Sequence, residues 1–169
     1  EIPASPEAAL PIVTFSDQMS FHWNGDNIRV IHQPPAHTDG DSILVFEEAN
    51  VIHMGDTFFL GCYPFIDVDG GGDIDGIIAG GYRVLSMADD DTVIIPGHGA
   101  LSDAAGLADW LSMLRDTRSS MQAAVDQGMS EDAAWAARPT SEYDDQVDDG
   151  CFMNPETYNR LLYQSLTRN

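Results

Sequence analysis

Residues 34–59, "PPAHTDGDSILVFEEANVIHMGDTFF", contain two short runs, Ser42 to Phe46 and Val51 to Met54, separated by a turn around Glu48 to Asn50. Runs this rich in β-branched and apolar residues, bounded by polar turn residues, predict a β-hairpin. His37 sits in the polar, proline-preceded turn before the first strand, and Asp56 follows Gly55 just past the end of the second. Further on, "TVIIPGHG" (92–99) predicts a short buried strand with His98 between two glycines at its end. Imidazole and carboxylate groups hold zinc and similar ions, and catalytic sites carry them on loops fixed by a rigid sheet. Three such side chains at three strand ends make His37, Asp56 and His98 a candidate site. The histidines His22, His32 and His53 are expected to be packed or hydrogen-bonded, the last two inside predicted strands.

Outward from this hairpin, residues 11–17 ("PIVTFSD") and 20–33 ("SFHWNGDNIRVIHQ") predict strands, the latter turning at Asn24-Gly25, a strong hairpin signal. Strands therefore occupy about 11–59. A helix is expected over about 74–87, capped by Asp73 although Gly80 and Gly81 weaken it, followed by a strand over 92–95. Leu107, Leu111, Leu114, Met121 and Val125 recur at helical spacing and predict a helix over about 102–127. Shorter helices are expected over about 130–137 and 155–166. Strands, helix, strand and helices in that order give an α/β (α+β) class, with no internal repeat.

The chain has 169 residues, 43% of them hydrophobic, enough for one domain with a packed core. Its 28 acidic residues face seven basic ones, all arginine, for a net charge of -21. Such a charge excludes nucleic acid and anionic membrane surfaces as partners and suits a solvated surface in a salty medium. No apolar run is long enough to span a bilayer. The start, "EIPASPEAALPIVTF", lacks an initiator methionine and a signal peptide, so processing or truncation upstream is expected. Cys62 and Cys151 are compatible with a disulfide and equally with two isolated thiols. "DVDGGGDID", with Asp67, Asp69, Asp73 and Asp75, raises a cation-binding acidic module as the alternative. A helix-loop-helix calcium loop would need an acid and a glutamate where Gly71 and Ile78 stand.

"PPAHTDGDSILVFEEANVIHMGDTFF", "YPFID" with its glycine-rich continuation, and "TVIIPGHG" together resemble the C-terminal half of the metallo-β-lactamase-fold hydrolases, in particular periplasmic-type hydrolases related to β-lactamase ancestors. The resemblance implies an αββα sandwich of which residues 1–169 form about the C-terminal half. It implies zinc, two ions per complete site, with His37 on the first, Asp56 bridging both as the catalytic carboxylate, and His98 on the second. It implies a small-molecule substrate: dinuclear zinc-bound hydroxide attacks an ester, lactone, thioester or amide carbonyl, with weak β-lactam cleavage as a side activity. Known lactamases usually carry another residue at the Asp56 position, which argues against a dedicated lactamase. A periplasmic or secreted location follows from the same resemblance.

The family's H-x-H-x-D-H run is missing from these residues. Single histidines do not hold catalytic zinc, so the isolated chain is expected to bind metal weakly and be inactive. One half alone would also leave an apolar sheet face open. The expected partner is therefore an N-terminal half carrying that run, in another chain, cleaved off upstream of Glu1, or swapped from a neighbour in a homo-oligomer. A catalytically silent fragment is the further alternative. Thr38, Asp39 and Asp41 either orient His37 or make ordinary turn hydrogen bonds. Phe58, Phe59, Tyr63 and Phe65 either line an apolar pocket or simply pack.

Overall fold

Asn24 and Gly25 both take positive φ (53° and 80°), as a two-residue hairpin turn requires, and join β1 (Gln18–Trp23) to β2 (Asp26–His32). A computed structural model describes residues 5–147 and 150–168. Next come β3 (Ser42–Phe46), β4 (Val51–Phe59), α1 (Ile74–Leu85), β5 (Val93–His98), α2 (Ala104–Asp126), α3 (Glu131–Ala136) and α4 (Pro155–Thr167). The strands form one sheet in the order β1-β2-β3-β4-β5. The first four are antiparallel, and β5 runs parallel to β4 with α1 as the crossover that a parallel pair needs. Side chains of Asp73, Asp103, Ser130 and Asn154 accept a backbone N–H at the starts of the four helices, which fixes where each begins.

The expected strand over 11–17 is not formed. Those residues run as exposed loop, with Ile12 fully open to solvent, because the strand beside β2 is supplied by 18–23 instead and the earlier segment is held only at its end, where Ser16 and Asp17 offer their carbonyls to His32. β4 runs five residues beyond Met54, so Asp56 lies inside a strand rather than just past one. β5 likewise runs three residues beyond Ile95, and His98 is its last residue.

Alternation along the strands sends apolar side chains to both faces. Arg29, Val45, Ile52 and Ile94 stand in register on one face, beside the pair Ile31 and Ile43. The apolar members of this set join Ile74, Ile77 and Val84 of α1 and Leu107, Leu111 and Leu114 of α2 in the core. On the opposite face Phe21, Ile28, Phe46, Val51 and Val93 form a continuous ladder across all five strands. A second ladder, Met19, Val30, Leu44, His53 and Ile95, runs beside it. None of these ladder residues belongs to the core cluster; Val30 is buried within the sheet, whereas Phe21 is 48% exposed. Trp23, next along β1 on the same face, is 70% exposed.

The loop after β4 is tied to the C-terminal part of the chain. Tyr63 stacks on Tyr158 of α4 with ring centroids 4.3 Å apart, and its buried hydroxyl donates to Asp144 at 3.0 Å. Burial is the main cause that pushes the Tyr63 phenol far above its usual range, so it stays a neutral donor. Cys62 and Cys151 are joined in a disulfide, with Cα atoms 5.8 Å apart, inside the normal span.

The two faces predict a contrast between neighbours on one strand. In urea unfolding of the isolated chain, at a dilution that keeps it monomeric, Ile52→Ala should cost about 2–5 kcal/mol, and Val51→Ala less than about 1 kcal/mol. Equal losses would mean that the ladder face is covered.

Candidate metal centre

The β4–β5 pairing slips twice, between His53 and Gly55 and again between Gly55 and Phe59. Irregularities of this kind bend a strand and re-aim its side chains, and Asp56 lies within the second slip. A methyl group on Gly97 of β5 would collide with Asp56 Oδ1 and with the Gly55 backbone, so only glycine lets "PGH" come this close. His98 follows at once, its ring stacked on Phe59 with centroids 4.7 Å apart and planes 12° from parallel.

His37 arrives from the other side, on a turn stitched to the glycine-rich loop. Asp67 N–H donates to the His37 carbonyl (3.0 Å), Asp39 N–H to that of Gly70 (3.0 Å), and Asp73 N–H to that of Ala36 (2.8 Å). A side chain on Gly72 would strike the His37 carbonyl and the backbone of Asp67. The "DGGGD" run is thus the seat of the His37 turn. Its acids are largely engaged elsewhere: Asp67 accepts from Gly70 N–H, Asp73 caps α1, and Asp75 pairs with Arg118 at 2.8 Å. Thr38 and Asp41 bond to each other within the turn, Asp41 accepting from the Thr38 N–H at 2.7 Å, so this pair makes turn hydrogen bonds.

The contact that orients His37 was not foreseen. Its Nδ1 lies 2.8 Å from the carbonyl of Phe65. A carbonyl can only accept, so Nδ1 carries a proton, and in the neutral ring the lone pair is on Nε2. That Nε2 is 3.8 Å from Asp56 Oδ2, and His98 Nε2 is 3.6 Å from Asp56 Oδ1. One carboxylate therefore stands between two imidazoles and offers a different oxygen to each. The separations are too long for hydrogen bonds. They are close to the roughly 3.4 Å that separates two ligands of one tetrahedral zinc. Side-chain exposure rises from 15% at His37 to 42% at Asp56 and 47% at His98, so the group opens toward solvent on the His98 side.

As donors the three residues fit two half-built positions, each with one nitrogen and one oxygen. Among the described residues no group of three or more His, Cys, Asp or Glu converges on a single ion. The other histidines stand apart: His32 lies 2.9 Å from the carbonyls of both Ser16 and Asp39, His53 Nδ1 accepts from Gly55 N–H, and His22 is exposed on edge strand β1. Of the aromatics, Phe58 packs on Trp110 and Tyr63 on Tyr158, both in the core, whereas Phe59 and Phe65 border the imidazoles. Phe152 also reaches this cluster, 5.5 Å from the His98 ring. Its one advance signal was the adjacent Cys151, which pairing with Cys62 brings back to the loop after β4.

A family model described as the metallo-beta-lactamase superfamily matches residues 4–98, which include the whole sheet through His98. The chain belongs to the metallo-β-lactamase superfamily. Among solved structures, a metallo-beta-lactamase from Pontibacter korlensis is 20% identical with a TM-score of 0.54, over 63% of this chain and 49% of that one. The stereoselective inverting sec-alkylsulfatase Pisa1 from Pseudomonas sp. is 14% identical with a TM-score of 0.70, over 90% of this chain and 26% of that one. At these identities the likeness is one of fold. This superfamily member thus spans about half of the first structure and about a quarter of the second. No curated protein sequence matches it.

The close approach at Gly97 can be tested directly. Gly97→Ala should cost about 1–3 kcal/mol in thermal or urea unfolding and shift the His98 ring resonances, whereas Gly40→Ala, with nothing nearer than 4.0 Å, should do neither. A neutral Gly97→Ala would show that Asp56 does not lie against β5.

Proposed function

We propose that this chain is the histidine- and aspartate-bearing half of a zinc-dependent hydrolase, two ions per complete site, acting on an ester, lactone, thioester or amide carbonyl, with β-lactam cleavage as a weak side activity. The observation that carries this reading is the Asp56 carboxylate held between His37 Nε2 and His98 Nε2, one oxygen toward each. His37 and Asp56 Oδ2 would hold one ion, and His98 and Asp56 Oδ1 the other. When bound, such ions lower the pKa of a ligated water to about 7 and supply a nucleophile at neutral pH. Asp56 sets the spacing of the two positions, and the Phe65 carbonyl keeps the His37 lone pair turned toward the site. Phe59, stacked on His98, limits how that ring can turn. A carbonyl substrate is favoured over the anionic ester of a sulfatase because a net charge of -21 opposes the approach of anions.

The same reading assigns a partner: a second half carrying H-x-H-x-D-H, separate, cleaved or swapped, with its own sheet laid on the Phe21-to-Val93 ladder. Two observations support that occupant. The ladder is a five-strand apolar surface outside the core, and exposed faces of that extent mark contacts. The lactamase that shares this fold continues for about as much chain again. A periplasmic or secreted location belongs to the proposal and is supported by the disulfide, which persists in oxidising compartments.

Zinc titration and ester assays provide the test. Alone, the chain should bind zinc weakly and turn over no ester. With the complementary half supplied, turnover should appear, and Asp56→Ala should reduce it by at least about 100-fold, the upper end of what lost orienting contacts around a metal cost. Turnover that survives Asp56→Ala removes the assignment. For the partner, sedimentation should show the lone chain self-associating and Phe21→Glu weakening both this and uptake of the second half. A monomer whose Phe21→Glu variant takes up that half unchanged sinks the docking face.

A further inference from the structure

Phe152 lies in the segment before α4, far in sequence from every other residue of the centre, yet its ring packs beside three of them. It is 5.5 Å from the ring of His98, 5.9 Å from Phe59 and 6.3 Å from Phe65. It is also 59% exposed, so no core requirement explains where it points. Its position is set covalently: Cys151, immediately before it, is bonded to Cys62 in the loop after β4. Beside this bond is an open cavity of about 280 Å³ lined by Leu60, Cys62, His98, Gly99 and residues 150–152. Among the described residues His98 is the only ionisable side chain in that lining, and the other described surfaces are apolar, backbone or disulfide sulfur.

We infer that Phe152, held by the Cys62–Cys151 bond, is a specificity-determining wall that takes a neutral apolar arm of the substrate, a short alkyl or aryl group beside the reacting carbonyl. The inference rests on the hydrolase reading for the word substrate, but the apolar subsite stands on its own geometry. A ring that is held in place yet mostly open to solvent offers its face to a ligand at little cost in ordering. The cavity is at the lower end of the size of small-molecule sites, which suits one arm of a molecule and not a large ligand. The surrounding negative charge disfavours an anionic arm, and the apolar faces of Leu60 and Phe152 suit a neutral one.

The test is a two-dimensional amide NMR titration with hexanamide, an uncharged probe that needs neither metal nor turnover. Amides of Leu60, His98, Gly99 and Phe152 should shift together. Phe152→Ala should weaken binding by about fivefold or more, and Phe152→Leu, which keeps apolar bulk, should stay within about twofold of wild type. Because Phe152 is largely exposed, both variants should keep the wild-type spectrum elsewhere. Binding unchanged by Phe152→Ala, or shifts confined to the Phe21, Phe46 and Val51 face, would overturn the inference. Asp56→Ala should leave hexanamide binding intact, so loss of the hydrolase reading and loss of the subsite give different results.

Discussion

The parallel pairing of β4 with β5 is the constraint on which the rest of the molecule depends. Antiparallel neighbours can be joined by a short turn, but a parallel neighbour must be reached by a crossover, and α1 is that crossover. Once α1 lies across the sheet, its buried residues and those of α2 close the core on one side. The same pairing brings Asp56 and His98 to adjacent strands, and its second slip leaves Asp56 in an irregular stretch. Core and candidate centre are thus two results of one strand register.

Much of this was legible in the sequence because it rests on local chemistry. The Asn24-Gly25 turn, the Asp73 cap and the spacing of Leu107, Leu111 and Leu114 each act within a few residues, and each appears where expected. The grouping of His37, Asp56 and His98 was visible as three metal-capable side chains at or near strand ends. What stayed hidden depends on partners distant in the chain. Residues 11–17 have the composition of a strand, but Gln18–Trp23 occupies the edge beside β2. The glycine run 70–72 looks like a cation loop by composition, whereas its work is to let two backbones touch. Phe152 joins the centre through a bond between cysteines 89 positions apart, a distance over which no periodicity reports.

Among the described residues the sheet is apolar on both sides and covered by helices on one. A sheet of an ordinary two-layer protein would alternate apolar and polar residues, and polar groups would stand at Phe21, Ile28, Phe46, Val51 and Val93. Their absence agrees with membership of a superfamily whose solved structures extend well past this chain. The surface charge counteracts the stickiness of such a face: with seven arginines against 28 acids, copies of the chain repel each other at long range.

The hydrogen bond from His37 to the Phe65 carbonyl has a bearing on how the protein tolerates change over generations. When a neighbouring carboxylate side chain holds a ligand's tautomer, a single codon change at that neighbour can erase it. Here the acceptor belongs to the main chain, which every amino acid supplies. Position 65 is therefore free to drift in side-chain identity without disturbing the protonation pattern of His37, so long as the backbone path survives. Inheritance of this orientation is written into the course of the loop rather than into any one letter of the sequence.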